Sequence, residues 1–199
     1  MSVSIFVSFR FDPDLDFAER IARLAKEALK LKLGNSFKDE EVFFASDSIR
    51  AGQDFRDRYA SAIIQAKLIV LCVSETTISK FVNASTKEDS VLHEWELALQ
   101  QLACHSASVI PLLLPSVILE NGRQTTTPFH IPKPGTFPSA PHAGGLGNPI
   151  STTVEEIFKL LALHIYSRSD EKYINRTIIP DLMEALSTSL NEAQVSRLL

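Results

Sequence analysis

The sequence predicts an α/β fold in three layers, with a central parallel sheet and helices on both faces. Three observations predict it. The run LIVLCV from Leu68 to Val73 is uniformly apolar, as a strand covered on both faces must be. Short β-branched runs alternate with segments whose apolar residues recur at helical spacing, which implies right-handed βαβ crossovers. The 199 residues, 45% apolar and 22% charged, have the size and balance of a folded domain with a real core.

The elements follow in order. Ser4 to Phe9 reads as strand one. Asp12-Pro13 reads as a helix start, and Phe17, Ile21, Leu24, Ala28 and Leu31 then mark an apolar stripe that Gly34-Asn35 ends. Val42 to Phe44 is strand two, and the polar stretch Ala45 to Gly52 is a loop. Phe55, Tyr59, Ile63 and Ala66 mark a second helix before the LIVLCV strand. Val91, Trp95, Ala98 and Leu102 mark a third helix, and Val109 to Leu114 a fourth strand punctuated by Pro111. A further helix holds Val154, Ile157, Leu160, Leu161 and Leu163. The expected sheet is flavodoxin-like, of order 2-1-3-4-5.

Between Pro115 and Pro149 lie seven of the ten prolines and five of the seven glycines, a composition that opposes regular structure. A short fifth strand is expected near Thr127 to Ile131. The expected organisation is a domain over 1–167, carrying a Pro/Gly-rich insertion at 115–152, and a C-terminal helical extension at 168–199 with Leu182, Leu186 and Leu190 at helical spacing.

Several functions are disfavoured. A net charge of −4 offers no basic field for nucleic acid or an anionic membrane. No apolar run approaches the roughly 20 residues of a membrane helix, and no signal peptide is evident. Cys72 and Cys104 read as buried free thiols of a reducing, cytoplasmic compartment. There is no GxGxxG after strand one, no Walker A motif and no GxSxG elbow. The histidines (His93, His105, His130, His142 and His164) show no convincing metal spacing and read as ordinary surface or core residues, so no metal site is expected.

In open parallel sheets, ligands bind outside the carboxyl ends of the strands. Those ends include Ser8-Phe9-Arg10, Ala45 to Gly52 and Ser74-Glu75, so a cleft rimmed by Arg10, Asp47, Arg50 and the third helix is the expected site.

Four motifs carry a family resemblance. IFVSFR at Ile5 to Arg10, FASDSIRAGQDF at Phe44 to Phe55, AIIQAKLIVLCVS at Ala62 to Ser74 and SVLHEWELAL at Ser90 to Leu99 stand in order. They resemble the opening strand, the BB loop, the central helix–strand pair and the glutamate-bearing helix of Toll/interleukin-receptor (TIR) domains. The similarity runs from about Ser4 to about Tyr166. Many TIR domains cleave NAD+ at its nicotinamide glycosidic bond; others are non-catalytic interaction modules. The resemblance implies NAD+ as substrate with no further cofactor, self-association through TIR–TIR contacts, other TIR or signalling domains as partners, and a role in signalling or defence.

It also implies Glu94 as the catalytic residue. A helical wheel alone does not choose between Glu94 and Glu96, which flank the apolar arc on opposite sides. Ser90 stands where the family has tryptophan, and Trp95 is a candidate aromatic wall. A carboxylate beside the ribose stabilises the oxocarbenium-like transition state of glycosidic cleavage. Arg10 is read as holding a phosphate or carboxamide, or as a surface ion pair. Phe9 is read as stacking on a base, or as a core residue. Asp47, Ile49 and Gly52 form the expected lid, and Ser90 completes the expected substrate-binding set.

Overall fold

The computed structural model describes residues 3–44, 55–120, 123–133, 135–160 and 162–195. Five parallel strands form one sheet of order β2-β1-β3-β4-β7, with β1 Ile5–Ser8, β2 Val42–Phe43, β3 Leu68–Val73, β4 Ser108–Leu113 and β7 Leu163–His164. This is the expected flavodoxin-like α/β arrangement. All six side chains of β3 are buried, and alternate residues feed opposite layers. Ile69, Leu71 and Val73 join one core, and Leu68, Val70 and Cys72 join the other.

The first core is closed by α2 (Phe55–Gln65), α3 (Glu75–Phe81), α4 (Ser90–Ala103) and α5 (Ile150–Lys159). The second is closed by α1 (Phe11–Leu33) and α6 (Ile179–Val195), the latter entered through a helical turn at Glu171–Tyr173 and a π-helical stretch at Ile174–Ile178. Ile174, Ile178, Ile179, Leu182 and Leu186 are all buried in that core.

Details depart from the sequence expectation for local reasons. The fifth position of the sheet is taken by Leu163–His164, pairing with Leu112–Leu113, and not by a strand near Thr127 to Ile131. The Thr-rich segment instead forms β6 (Arg123–Thr127), antiparallel to β5 (Ser116–Glu120) in a separate hairpin. Leu163 had fitted a helical stripe, but α5 stops at Lys159, and a two-residue strand carries no period to read. The short helix α3 was not anticipated. Leu31 is exposed, and the buried stripe of α1 ends instead at Leu29 before Gly34, at φ 57°, caps the helix with its N–H on Lys30 O. Cys72 is buried as expected, but Cys104 is exposed because it caps the end of α4. Among the described residues, no helix is long and apolar enough to cross a membrane.

Buried Asp14, in the first turns of α1, joins three regions of the chain. It accepts hydrogen bonds from Ser74 Oγ (2.7 Å), Thr77 Oγ1 (3.0 Å) and Arg168 Nη1 (3.0 Å). Ser74 also caps α3 by accepting from Thr77 N–H at 3.2 Å.

Candidate active site

The carboxyl end of β1 delivers Ser8 beneath the first turns of α4. Ser8 Oγ donates to Glu94 Oε2 at 2.6 Å, and both residues are buried. Glu94 opens onto a cavity of about 320 Å3, whose lining also includes Tyr59, Asp89, Ser90, His93 and His142. The cavity lies where strand order reverses between β1 and β3, outside the carboxyl ends, as open α/β sheets dictate. A larger groove of about 700 Å3 runs along α1, but its lining is a mixed-charge helix face with exposed pairs such as Arg23–Glu27. Among the described residues no buried polar group converges there, so it makes the poorer site.

Burial, above all, pushes the Glu94 carboxyl up to about 8; the nearby Asp89 charge adds to this, while the Ser8 hydrogen bond and Arg10 oppose it. Tyr59 is likewise raised, first by burial and then by the charge of Glu94. A carboxyl held in dry surroundings beside an open cavity marks a candidate functional group, either a reactive acid or a cation-stabilising one.

Asp89 sets the entry of α4. Its Oδ1 accepts from Leu92 N–H at 3.1 Å, an N-cap one turn from Glu94. Arg10 Nη2 donates to both Asp89 oxygens at 2.8 and 2.6 Å, and its guanidinium lies 5.7 Å from the Phe81 ring centre. Arg10 thus forms a mostly buried ion pair with Asp89, their side chains 15% and 10% exposed, and reaches the cavity through Asp89. Asp89→Ala is expected to cost about 1–2 kcal/mol, from the lost cap and the stranded guanidinium. A loss of unfolding free energy in urea of less than a few tenths of a kcal/mol would contradict this.

The other predicted residues sort clearly. Ser90 lines the cavity. Phe9 does not: its ring stacks on Phe44 at 4.9 Å in the second core, because the strand alternation turns it away from Ser8. Trp95 is no cavity wall; it is fully buried, edge-on to Phe81 at 5.0 Å. Asp47, Ile49 and Gly52 lie outside the described residues. Glu96 is absent from the cavity lining but is not a solvated flank residue. Its buried carboxylate meets His142 Nε2 at 3.1 Å and accepts Leu146 N–H at 2.7 Å, holding the Pro/Gly-rich loop against α4.

Sequence reasoning named Ser8 only as part of a strand end beside the expected cleft, and missed Tyr59, Asp89, His93 and His142 at this site. Asp89 was legible as a cap before Ser90; His142 comes from the insertion, and no local pattern announces it.

No curated protein matches the chain. The model of the TIR domain matches residues 5–130, from β1 through the β5–β6 hairpin and across Ser8, Asp89 and Glu94. With the parallel sheet and the cavity at its carboxyl edge, that match over more than half of the chain shows that it belongs to the TIR domain family.

Proposed function

We propose that the chain is an NAD+ nucleosidase, releasing nicotinamide and an ADP-ribose product, and that Glu94 supplies the decisive charge. The observation that carries this reading is the Glu94 carboxyl, buried, oriented by Ser8 and open to a cavity. Nicotinamide leaves as a neutral base from a cationic pyridinium, so its departure needs no general acid. What the site must supply is stabilisation of positive charge on the ribose, which a fixed carboxylate in a partly dry cavity does well. The positive charge of the bound pyridinium would itself draw the proton off Glu94. About 320 Å3 is at the small end of ligand pockets, suited to the nicotinamide riboside portion, with the rest of the dinucleotide extending past the rim. Asp89 and Ser90 line the same cavity, and in this reading the Ser90 hydroxyl bonds a ribose hydroxyl while Asp89 holds the start of α4.

TIR domains act through self-association, and the second reading, a non-catalytic TIR interaction module, is favoured by Ser90 at the family's tryptophan position. Incubation with NAD+ across a wide range of protein concentration separates the two. Light scattering is expected to show growing assemblies, of the head-to-tail kind that can extend, with specific activity rising alongside them and nicotinamide appearing by chromatography. Assembly without nicotinamide release would leave the interaction module; a strict monomer at every concentration would count against self-association.

A further inference from the structure

The geometry points to a binding site for one divalent transition-metal ion, Zn2+ by its donor set, formed by His93 and Glu96 of α4 and His142 of the Pro/Gly-rich loop. Among the described residues, one nitrogen of each histidine and one Glu96 oxygen all lie within 4.8 Å of one another. Two imidazoles and a carboxylate are a familiar zinc donor set, and the spacing needs only a small closing movement to reach bonding distances of about 2.0–2.2 Å.

Three further observations support a bound cation at this cluster. First, both ring nitrogens of His142 face acceptors. Nδ1 lies 3.1 Å from Ala143 O, and Nε2 lies 3.1 Å from Glu96 Oε2. The carbonyl requires Nδ1 to carry the hydrogen, which leaves the Nε2 lone pair of a neutral ring pointing at a carboxylate. Either a second proton on the ring or a metal cation between the two groups resolves that opposition, and the metal arrangement matches the pattern in which a metal-bound histidine donates its other N–H to a backbone carbonyl. Second, Glu96 has a fully buried side chain, yet its Oε1 makes no hydrogen bond among the described residues. Third, the backbone is shaped for close approach. A Cβ at Gly145 would collide with the His142 ring and with Glu96 Oε2.

The ion would do two things. It would clasp the loop segment 142–146 onto α4, adding to the His142 and Leu146 contacts with Glu96 and the ring contact between His142 and His93. It would also leave a coordination position toward the cavity, since His93 and His142 both line it and His93 is 31% exposed. Three protein ligands with one open position distinguish a reactive or ligand-binding zinc site from a purely structural one.

The test uses tag-free, chelator-treated full chain titrated with Zn2+ alone by calorimetry, and with Co2+ followed by its visible absorption. One equivalent is expected to bind, the melting temperature to rise with Zn2+, and amide exchange at 143–146 to slow. His142→Ala should weaken binding about tenfold or more. His93→Gln, at a partly exposed position where folding is little at risk, should do the same and should also abolish the Zn2+-dependent rise in melting temperature. No binding by the wild-type chain, or equal binding by a folded His93→Gln, would overturn the site. None of these readouts uses NAD+, so this proposal and the nucleosidase reading can fail independently.

Discussion

Glu94→Gln is expected to lower NAD+ cleavage on the order of a hundredfold or more while leaving the fold intact. Glutamine has the same shape and can still accept the 2.6 Å hydrogen bond from Ser8, so the local packing survives. What disappears is the negative charge that meets the ribosyl cation. The loss should fall mainly on kcat, because the charge is worth most when positive charge has developed on the sugar. Ser8→Ala should cost less, since it removes the group that orients the carboxyl and not the carboxyl itself. Retention of wild-type turnover within a few fold by a folded Glu94→Gln would reject the role assigned to Glu94. Glu96→Ala is not a neutral comparison, although a helical wheel makes it look like one. It would strip the loop at His142 and Leu146 of its partner on α4. An exposed acidic residue far from the cavity, such as Glu155 on α5, is the proper control.

Asp14→Ala is expected to produce a large stability loss, about 3 kcal/mol. Asp14 is fully buried and accepts from Ser74, Thr77 and Arg168, which lie 60, 63 and 154 residues away in sequence. Its removal leaves two buried hydroxyls and one cation short of their acceptor. Arg168 is 19% exposed in its side chain, so water compensates part of its loss and the estimate sits at the low end of about 3–5 kcal/mol for broken buried pairs. For a chain of this size that corresponds to a melting temperature lower by about 6–12 °C. Asp14→Asn should lie between, because it keeps an acceptor for the hydroxyls and loses only the charge facing Arg168. A loss below about 1 kcal/mol for Asp14→Ala would mean that the network relaxes without it.

The strands and main helices were legible because their physics is local. A strand covered on both sides must be apolar throughout, so LIVLCV declared itself and the parallel sheet with it. Apolar spacing placed the sheet-facing sides of α1, α4 and α5. The order of the motifs was enough to indicate the family, and position at the carboxyl ends of the strands was enough to indicate where a ligand would sit. Only the tertiary structure decided the rest. Glu94 and Glu96 are equivalent on a wheel, and what distinguishes them is which neighbours the fold brings: Ser8 and the cavity for one, His142 and the Leu146 amide for the other. Phe9 and Arg10 stand side by side at the end of β1, yet one faces the second core and the other reaches Asp89 across 79 residues. The fifth strand and the His93–Glu96–His142 cluster depend on where the long Pro/Gly-rich segment returns to the sheet and to α4. Periodicity reports which face of an element is apolar; it carries no information about which distant polar groups will meet, because that is set by chain closure over tens of residues and not by local preference.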